Sequence, residues 1–494
     1  MKNERLNISW TSLVAMSVAI ALQGCGGQDT SAVASNIVVN SPRAIAQVSD
    51  DNYDNNVNGV ISAATLKRWK DDWANQRPAG VTGKLIIFQA TIGPAAAEYV
   101  KPNGTNVFTY LSPSSEWIQT RSNGVIQTQS MVPDGATMDA LLVKYNIDPR
   151  NDMVVCAMGT GSTSNAMSQG RCWYALRYWG MDKSHLSLLN GGNQWINTNG
   201  MSAVDFQATP STAPNTGTVS VKALKVDNTQ LQATLDDMLK IMPGSDANVR
   251  SDGVFLWDAR SIGQYSAGTK IERGEDTDTD TAGTQACASA YCDPVNPNNY
   301  MAFFQNGGSR QGHPWGALQL QYTMLLDSTK GFSYKPKAEL AAYLTGAADA
   351  NGMGFAGSNY ALVGAGNAYQ EGDTVYTYCE TTFRAMITGV ASAVILGKPT
   401  RFYDGAMVEW NSLSYLPDNS GNAILPVNSP WRTDVKSFYR PATSNTLVNT
   451  RTITNAYANR ANAVVDADKA YKTGEAVSSS GAGGGGAPAN PCGG

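Results

Sequence analysis

Cys379 sits in the run Tyr378-Cys379-Glu380-Thr381-Thr382-Phe383-Arg384, between two stretches of different character. Before it, Thr374 to Tyr378 is β-branched and aromatic, the pattern of a buried strand. After it, Arg384 to Leu396 is apolar and Ala-rich and is closed by Gly397 and Pro399, the pattern of a helix. A residue that leaves the carboxyl end of a strand and leads into a helix stands where open α/β sheets bind ligands. Successive backbone N–H groups and the helix dipole favour an anion there, so a cysteine in this place is poised as a thiolate nucleophile. The alternative is a small apolar residue that fills the core behind a strand.

Other residues bear on that chemistry. Arg384 closes the loop, either to bind a negatively charged substrate or to pair within the protein and hold the loop. Asp258 and Arg260 follow a second strand pattern, Val254 to Trp257, where they orient loops, and Gln264 lies just beyond them. The chain has only two histidines, His185 and His313, so His-based triads and zinc sites lack support, and no metal or cofactor is expected. Of the seven cysteines, Cys287 and Cys292 are close enough to staple a small loop in an oxidising compartment. Cys156 and Cys172 either pair or stay reduced. The acidic residues ahead of the Cys287/Cys292 pair, Glu272, Glu275, Asp276, Asp278 and Asp280, lack the glycine and terminal glutamate of an EF-hand. A solvated, disulfide-stapled flap accounts for them better than a calcium site.

The elements that position these residues occur twice. Lys84 to Phe88 and Met153 to Cys156 read as strands, Cys172 to Trp179 starts a helix, and Leu186 to Leu189 leads into Asn190-Gly191-Gly192. Setting Asp152 to Trp195 against Asp373 to Trp410 aligns strand with strand, Arg171 with Arg384 and Gly180 with Gly397. This is an internal duplication of a domain of about 130 to 200 residues. In that alignment Met158 stands opposite Cys379, and Gly159 to Gly170 replaces the short loop with a longer one rich in Gly, Ser, Asn and Thr. The expected fold class is α/β, with two domains that each have a mainly parallel central sheet and helices on both faces. At 494 residues, 42% hydrophobic and 15% charged, the chain can bury such cores. A net charge of −4 without a concentrated basic face gives no footprint for nucleic acid, which is not an expected partner.

At the N-terminus, Lys2 and Arg5 precede an apolar run from Leu13 to Leu22 that is too short to span a bilayer, and Gln23-Gly24-Cys25 follows. The pattern resembles a bacterial lipoprotein signal, with Cys25 as the lipidated first residue; an ordinary cleaved signal is the alternative, and both export the protein. The expected organisation is a signal over residues 1–25, a flexible tether over 26–57, an N-terminal domain over 58–217 and a C-terminal domain over 218–440 with an insertion at 269–311. An extension over 441–494 is expected to be disordered from about 478.

Four groups of residues, in order over 253–410, carry a family resemblance. They are Trp257-Asp258-Ala259-Arg260 with Gln264, Tyr265 and Gly268; Gly312-His313-Pro314-Trp315-Gly316-Ala317; Tyr378 through Ala385; and Tyr403-Asp404-Gly405 with Glu409-Trp410. The C-terminal half resembles the catalytic domain of the tandem rhodanese (sulfurtransferase) family. The first half is similar only from Met153 to Trp195, and the family's N-terminal domain is generally the degenerate, non-catalytic one. The resemblance implies rhodanese-like domains, Cys379 as the carrier of a persulfide, and a substrate loop of Glu380, Thr381, Thr382, Phe383 and Arg384 with Gln264 nearby. It implies supporting roles for Asp258, Arg260 and His313, the last in a turn beneath the site, and it calls for no cofactor. The partners it implies are a small sulfane-sulfur donor and a thiophilic acceptor, met by a periplasmic or outer-membrane lipoprotein anchored through its lipid.

Departures from the family bear on the donor. In thiosulfate-using relatives the cysteine is usually followed by Arg or Gln, Lys or Thr, and Gly; here Glu380, Thr381 and Thr382 follow, and Gln264 stands near where those relatives place an arginine. Glu380 then brings a negative charge to an entrance meant for a dianion, which makes thiosulfate a poor fit. The altered loop also leaves open a non-catalytic accessory lipoprotein of an outer-membrane or electron-transfer complex. With Cys25 as the anchor, Cys25→Ala is expected to move the protein from the membrane to the soluble fraction on cell fractionation. Membrane retention of a correctly exported variant would sink the lipoprotein reading.

Overall fold

The computed structural model describes residues 37–122, 127–244, 246, 252–266, 313–358, 361–407, 409–410 and 462–474. The signal at 1–25 with Cys25, the insertion at 269–311 with Cys287 and Cys292, and the tail from 478 lie outside the described residues.

In the first half, β1 (Gly59–Ile61), β2 (Leu85–Gln89), β3 (Val107–Leu111), β4 (Met153–Ala157) and β5 (Leu186–Leu189) form an all-parallel sheet in the order β1-β5-β4-β2-β3. In the second half, β6 (Gln232–Ala233), β7 (Val254–Asp258), β8 (Leu318–Gln319), β9 (Thr374–Tyr378) and β10 (Thr400–Tyr403) form a parallel sheet in the order β6-β10-β9-β7-β8. The two orders are the same, so the duplication legible in the sequence is a duplication of topology. In each sheet the path of the chain diverges between two central strands, β2 and β4 in the first and β7 and β9 in the second, and the carboxyl ends of such strands are where open α/β sheets bind ligands.

Helices cover both faces of each sheet. Alternate residues of β2 separate, Ile86 and Phe88 to an inner core and Leu85 and Ile87 to an outer one, where Leu66 and Trp69 of the helix Ala63–Asp71 meet them. In the second sheet, Phe255 and Trp257 face inward, while Leu256 faces an outer core with Leu235 and Met238 of the helix Leu235–Lys240. The inner faces of the two sheets share one continuous core rather than two separate ones. Its centre is the contact of α1 (Thr163–Tyr178) with α2 (Ala385–Val390), which continues as a π-helical turn at Ala391–Ile395. The rings of Trp173 and Tyr174 in α1 lie 6.4 and 4.8 Å from that of Phe402 in β10. Only a glycine fits at 170, since a Cβ there would come within 2.6 Å of the Met386 Cβ.

Two expectations change, and one open alternative is decided. The helix α1 starts at Thr163, well before Cys172, because Ser162 caps it by accepting from the Asn165 N–H (3.1 Å). The long Gly159 to Gly170 loop is therefore mostly helix, and burial in the shared core overrides its polar composition. Cys156 and Cys172 form a disulfide that ties β4 to α1; closing a loop of this size restricts the unfolded chain by about 3 kcal/mol. The stretch from Ile37 to Val57 is not a free tether. Val38–Val39 pairs in parallel with Val226–Asp227, Ser41 caps the short helix Pro42–Ile45, and Ile45 and Tyr53 are buried. Its backbone supplies what the π-helical turn lacks: the Gln47 and Ser49 N–H groups donate to the Ala393 and Ile395 carbonyls (2.8 and 3.0 Å), and the Ser49 hydroxyl donates to Val394 (3.0 Å).

The extension after residue 441 contributes a helix, α3 (Ala463–Thr473), which docks on the first half. The Arg121 guanidinium donates to both Asp468 oxygens (2.7 and 2.8 Å), and Tyr178 Oη donates to the same carboxylate (2.7 Å). Lys472 Nζ donates to the Trp179 carbonyl (2.8 Å), and burial pushes this ammonium down to about 8. From about pH 8 to its ordinary value near 10.5 the unfolded chain binds the extra proton. This group therefore makes the fold more stable as pH rises through that window and costs most below it. Lys472→Met, which keeps the aliphatic stem, is expected to raise stability at neutral pH by on the order of 1 kcal/mol and to flatten the rise in alkali. Denaturant unfolding at several pH values checks this; a less stable variant at neutral pH would show that the bond to Trp179 outweighs the cost of the buried charge.

Candidate functional site

Cys379 is the first residue after β9, at the carboxyl end where the paths from β7 and β9 diverge. It is buried and packs with Ala259 and Ala385, with Tyr322 against them. The small neighbours follow from the geometry, since Ala259 leaves β7 and Ala385 opens α2 directly beside the cysteine. The Cys379 carbonyl accepts from the Met407 N–H (3.1 Å), which ties the start of the loop to the turn after β10.

The loop bends at Thr382, whose φ of +63° is left-handed backbone that a β-branched residue adopts only under constraint. The constraint is visible: Thr382 Oγ1 donates to the carbonyls of Tyr403 (2.8 Å) and Asp404 (3.2 Å). From the other side, Arg171 of α1 donates Nη2 to the Thr381 carbonyl (3.2 Å) and pairs through Nη1 with Asp404 Oδ1 (2.8 Å). Both partners of that ion pair are fully buried. Asp404 Oδ2 accepts from the Val132 N–H (2.6 Å), and the Arg171 guanidinium lies 5.3 Å from the Phe383 ring centre. Neither Arg171 nor Asp404 was expected at this site. The sequence did hold one signal, an arginine directly before the apolar run Cys172 to Leu176, where a long cation needs a buried partner. The alignment of Arg171 with Arg384 pairs residues with different surroundings, because Arg171 lies within a helix and Arg384 precedes one.

A second network lines the β7 side. Arg260 grips Asp258 with Nε to Oδ1 (2.9 Å) and Nη2 to Oδ2 (2.5 Å), and Tyr378 Oη donates to Asp258 Oδ2 (2.9 Å). Burial works against the charge of Arg260, but the Asp258 carboxylate more than offsets it and holds the guanidinium above its usual range. Burial, reinforced by Asp258, also lifts the Tyr378 hydroxyl well above the ordinary phenol range. Glu380 Oε2 lies 4.0 Å from Arg260 Nη1 and 3.4 Å from Gln264 Nε2, and Gln264 Oε1 accepts from Arg384 Nη1.

These contacts correct one expectation. Glu380 is only 1% exposed. It turns inward to Arg260 and Gln264 instead of standing at an entrance, because those two donors offset the desolvation of its carboxylate. Arg384 is bound within the protein, to Gln264. His313 is joined to the helix Ile262–Ser266 that carries Gln264: its ring stacks 3.7 Å from that of Tyr265, Nδ1 faces the Tyr265 carbonyl (2.7 Å) and Nε2 faces the Asp246 carboxylate (3.2 Å). Among the described residues no group of three or more His, Cys, Asp or Glu side chains is placed to hold a metal ion. In the first half Met158 directly follows β4, as Cys379 follows β9, and a thioether has no thiolate to offer.

No known protein family matches the chain, and no curated protein matches it. Among solved structures it is similar to the Tum1 protein from Saccharomyces cerevisiae, at 14% identity over 72% of this chain and 95% of that one, with a TM-score of 0.41. It is similar to SseA from Escherichia coli, a 3-mercaptopyruvate sulfotransferase described by its "Rhodanese" fold, at 16% identity over 71% and 98% of the two chains, with a TM-score of 0.40. A third similarity is to an anaerobic ergothioneine biosynthesis enzyme from Chlorobium limicola, at 12% identity over 71% and 68%, with a TM-score of 0.43. At these scores the likeness carries no argument about activity, which rests on this chain's own residues.

Thr382→Val removes the hydroxyl that spans the Tyr403 and Asp404 carbonyls and is expected to lower stability by about 1–3 kcal/mol. Thr382→Ser keeps the hydroxyl and is expected to stay within about 1 kcal/mol of the parent. Urea unfolding of the two variants checks this, and equal losses in both would mean that the hydroxyl does not hold the bend.

Proposed function

We propose that this chain is a sulfurtransferase that carries a sulfane sulfur as a persulfide on Cys379. The observation that carries the reading is the place of Cys379, at the carboxyl end of a central parallel strand, where the sheet's path diverges, on a loop that leads into α2. The motif resemblance over 253–410 supports it. In the first step the Cys379 thiolate attacks the outer sulfur of a donor R–S–S⁻; the new S–S bond forms as the old one breaks, and its electron pair leaves on R–S⁻. In the second step an acceptor thiolate attacks the outer sulfur of the Cys379 persulfide and Cys379 leaves as thiolate. Nothing is oxidised or reduced overall, and the cycle calls for no cofactor.

The charges around the site favour one class of donor. Arg260 and Arg384 are balanced by Asp258 and Glu380, and Gln264 joins Glu380 to Arg384. A balanced, buried site suits a monoanionic persulfide or polysulfide better than a dianion such as thiosulfate. The protein acts as an exported lipoprotein anchored through Cys25 in the periplasm or at the outer membrane. A second reading, an accessory subunit of an envelope or electron-transfer complex with no turnover of its own, is favoured by one observation: Cys379, Glu380, Thr381 and Thr382 are all buried.

The test is mass spectrometry of the Cys379 peptide after exposure to polysulfide, thiosulfate or mercaptopyruvate. Polysulfide is expected to add one sulfur atom to Cys379, at least about tenfold faster than thiosulfate does. Cys379→Ser is expected to take up none while it unfolds like the parent. Loading that persists in Cys379→Ser would refute the assigned nucleophile, and no loading from any donor would leave the accessory reading as the better one.

A further inference from the structure

The first half has no cysteine at the place equivalent to Cys379, yet it reaches into the second half's loop with a buried arginine. We propose that Arg171 is a positioning residue for the Cys379 loop, so that the first half completes the site of the second; this rests on the sulfur-transfer reading of Cys379.

Arg171 touches the loop at its backbone. Its Nη2 donates to the Thr381 carbonyl (3.2 Å), its guanidinium lies 5.3 Å from the Phe383 ring centre, and its Nη1 holds Asp404 (2.8 Å). Asp404 belongs to the turn that receives the Thr382 hydroxyl, and that same turn donates the Met407 N–H to the Cys379 carbonyl. Thr381, Thr382, Phe383 and the Cys379 carbonyl are thus all fixed to Arg171 directly or through the 403–407 turn. A planar fork with several donors does this where a lysine cannot, because the Thr381 carbonyl and the Asp404 carboxylate must be met at once. The Cys156–Cys172 disulfide, next in sequence to Arg171, anchors α1 to β4, and the close approach at Gly170 sets α1 against α2. The left-handed bend at Thr382 is held from outside the loop, and Arg171 is the part of that hold contributed by the first half.

The test uses the full chain with Arg171→Lys, and with Arg171→Met combined with Asp404→Asn so that no buried charge is left without its partner. Persulfide loading by polysulfide and alkylation of Cys379 by iodoacetamide are measured at a temperature where near-ultraviolet circular dichroism shows each variant folded. In the double variant both rates are expected to fall about tenfold while the half-saturating polysulfide concentration stays within about twofold, because Arg171 lies behind the loop and does not meet the donor. Arg171→Lys is expected to recover part of both rates. A purely structural role would lower the melting temperature and leave both rates in the folded protein unchanged, and that result overturns the proposal. If the double variant does not fold, Arg171→Lys decides alone, and parental loading and alkylation in it overturn the proposal. If the parent takes up no sulfur, the sulfur-transfer reading fails, while the alkylation rate, which needs no donor, still tests the positioning role.

Discussion

The buried ion pair between Arg171 and Asp404 is the constraint on which the rest of the site depends. Two charges without solvent need partners for their remaining donors and acceptors, and loss of one member of such a pair costs about 3–5 kcal/mol. Here Arg171 Nη2 donates to the Thr381 carbonyl and Asp404 Oδ2 accepts from the Val132 N–H, while Arg171 Nε meets no acceptor among the described residues. The pair therefore ties a helix of the first half to the loop of the second. It sits beside the contact of α1 with α2, where Gly170 allows the approach and Trp173 and Tyr174 fill the space against Phe402.

Charge in the site is managed by the same logic. Glu380 is not a free anion at an opening but the partner of Arg260 and Gln264, and Arg384 is engaged by Gln264. With Asp258, Glu380 leaves the charges of Arg260 and Arg384 matched, and Gln264 bridges Glu380 to Arg384.

The segments that flank the two halves serve the core between them. The stretch from Ile37 to Val57 supplies donors to the carbonyls of the π-helical turn after α2, and α3 brings Asp468 to Arg121 and Tyr178. The first is polar in composition, whereas α3 is amphipathic, with Val464, Val465, Asp468 and Lys472 on its buried face. Each is ordered by a few specific bonds to groups that the halves leave exposed at their ends.

Much of this protein was legible in the sequence because the signals are local. β-branched runs such as Thr374 to Tyr378, the repeat of strand and helix in each half, and Cys379 directly after a strand follow from side-chain shape and period, which neighbours along the chain determine. The same locality marked Met158 as the residue that takes the place of the cysteine in the first half. What only the tertiary structure decided involves partners far apart in the chain. The pairing of Cys156 with Cys172, the inward turn of Glu380 and the meeting of Arg171 with Asp404 each depend on which groups burial brings together. A buried charge or a polar helix is stable only with its partner in place, and composition and spacing do not name a partner that only the fold brings near.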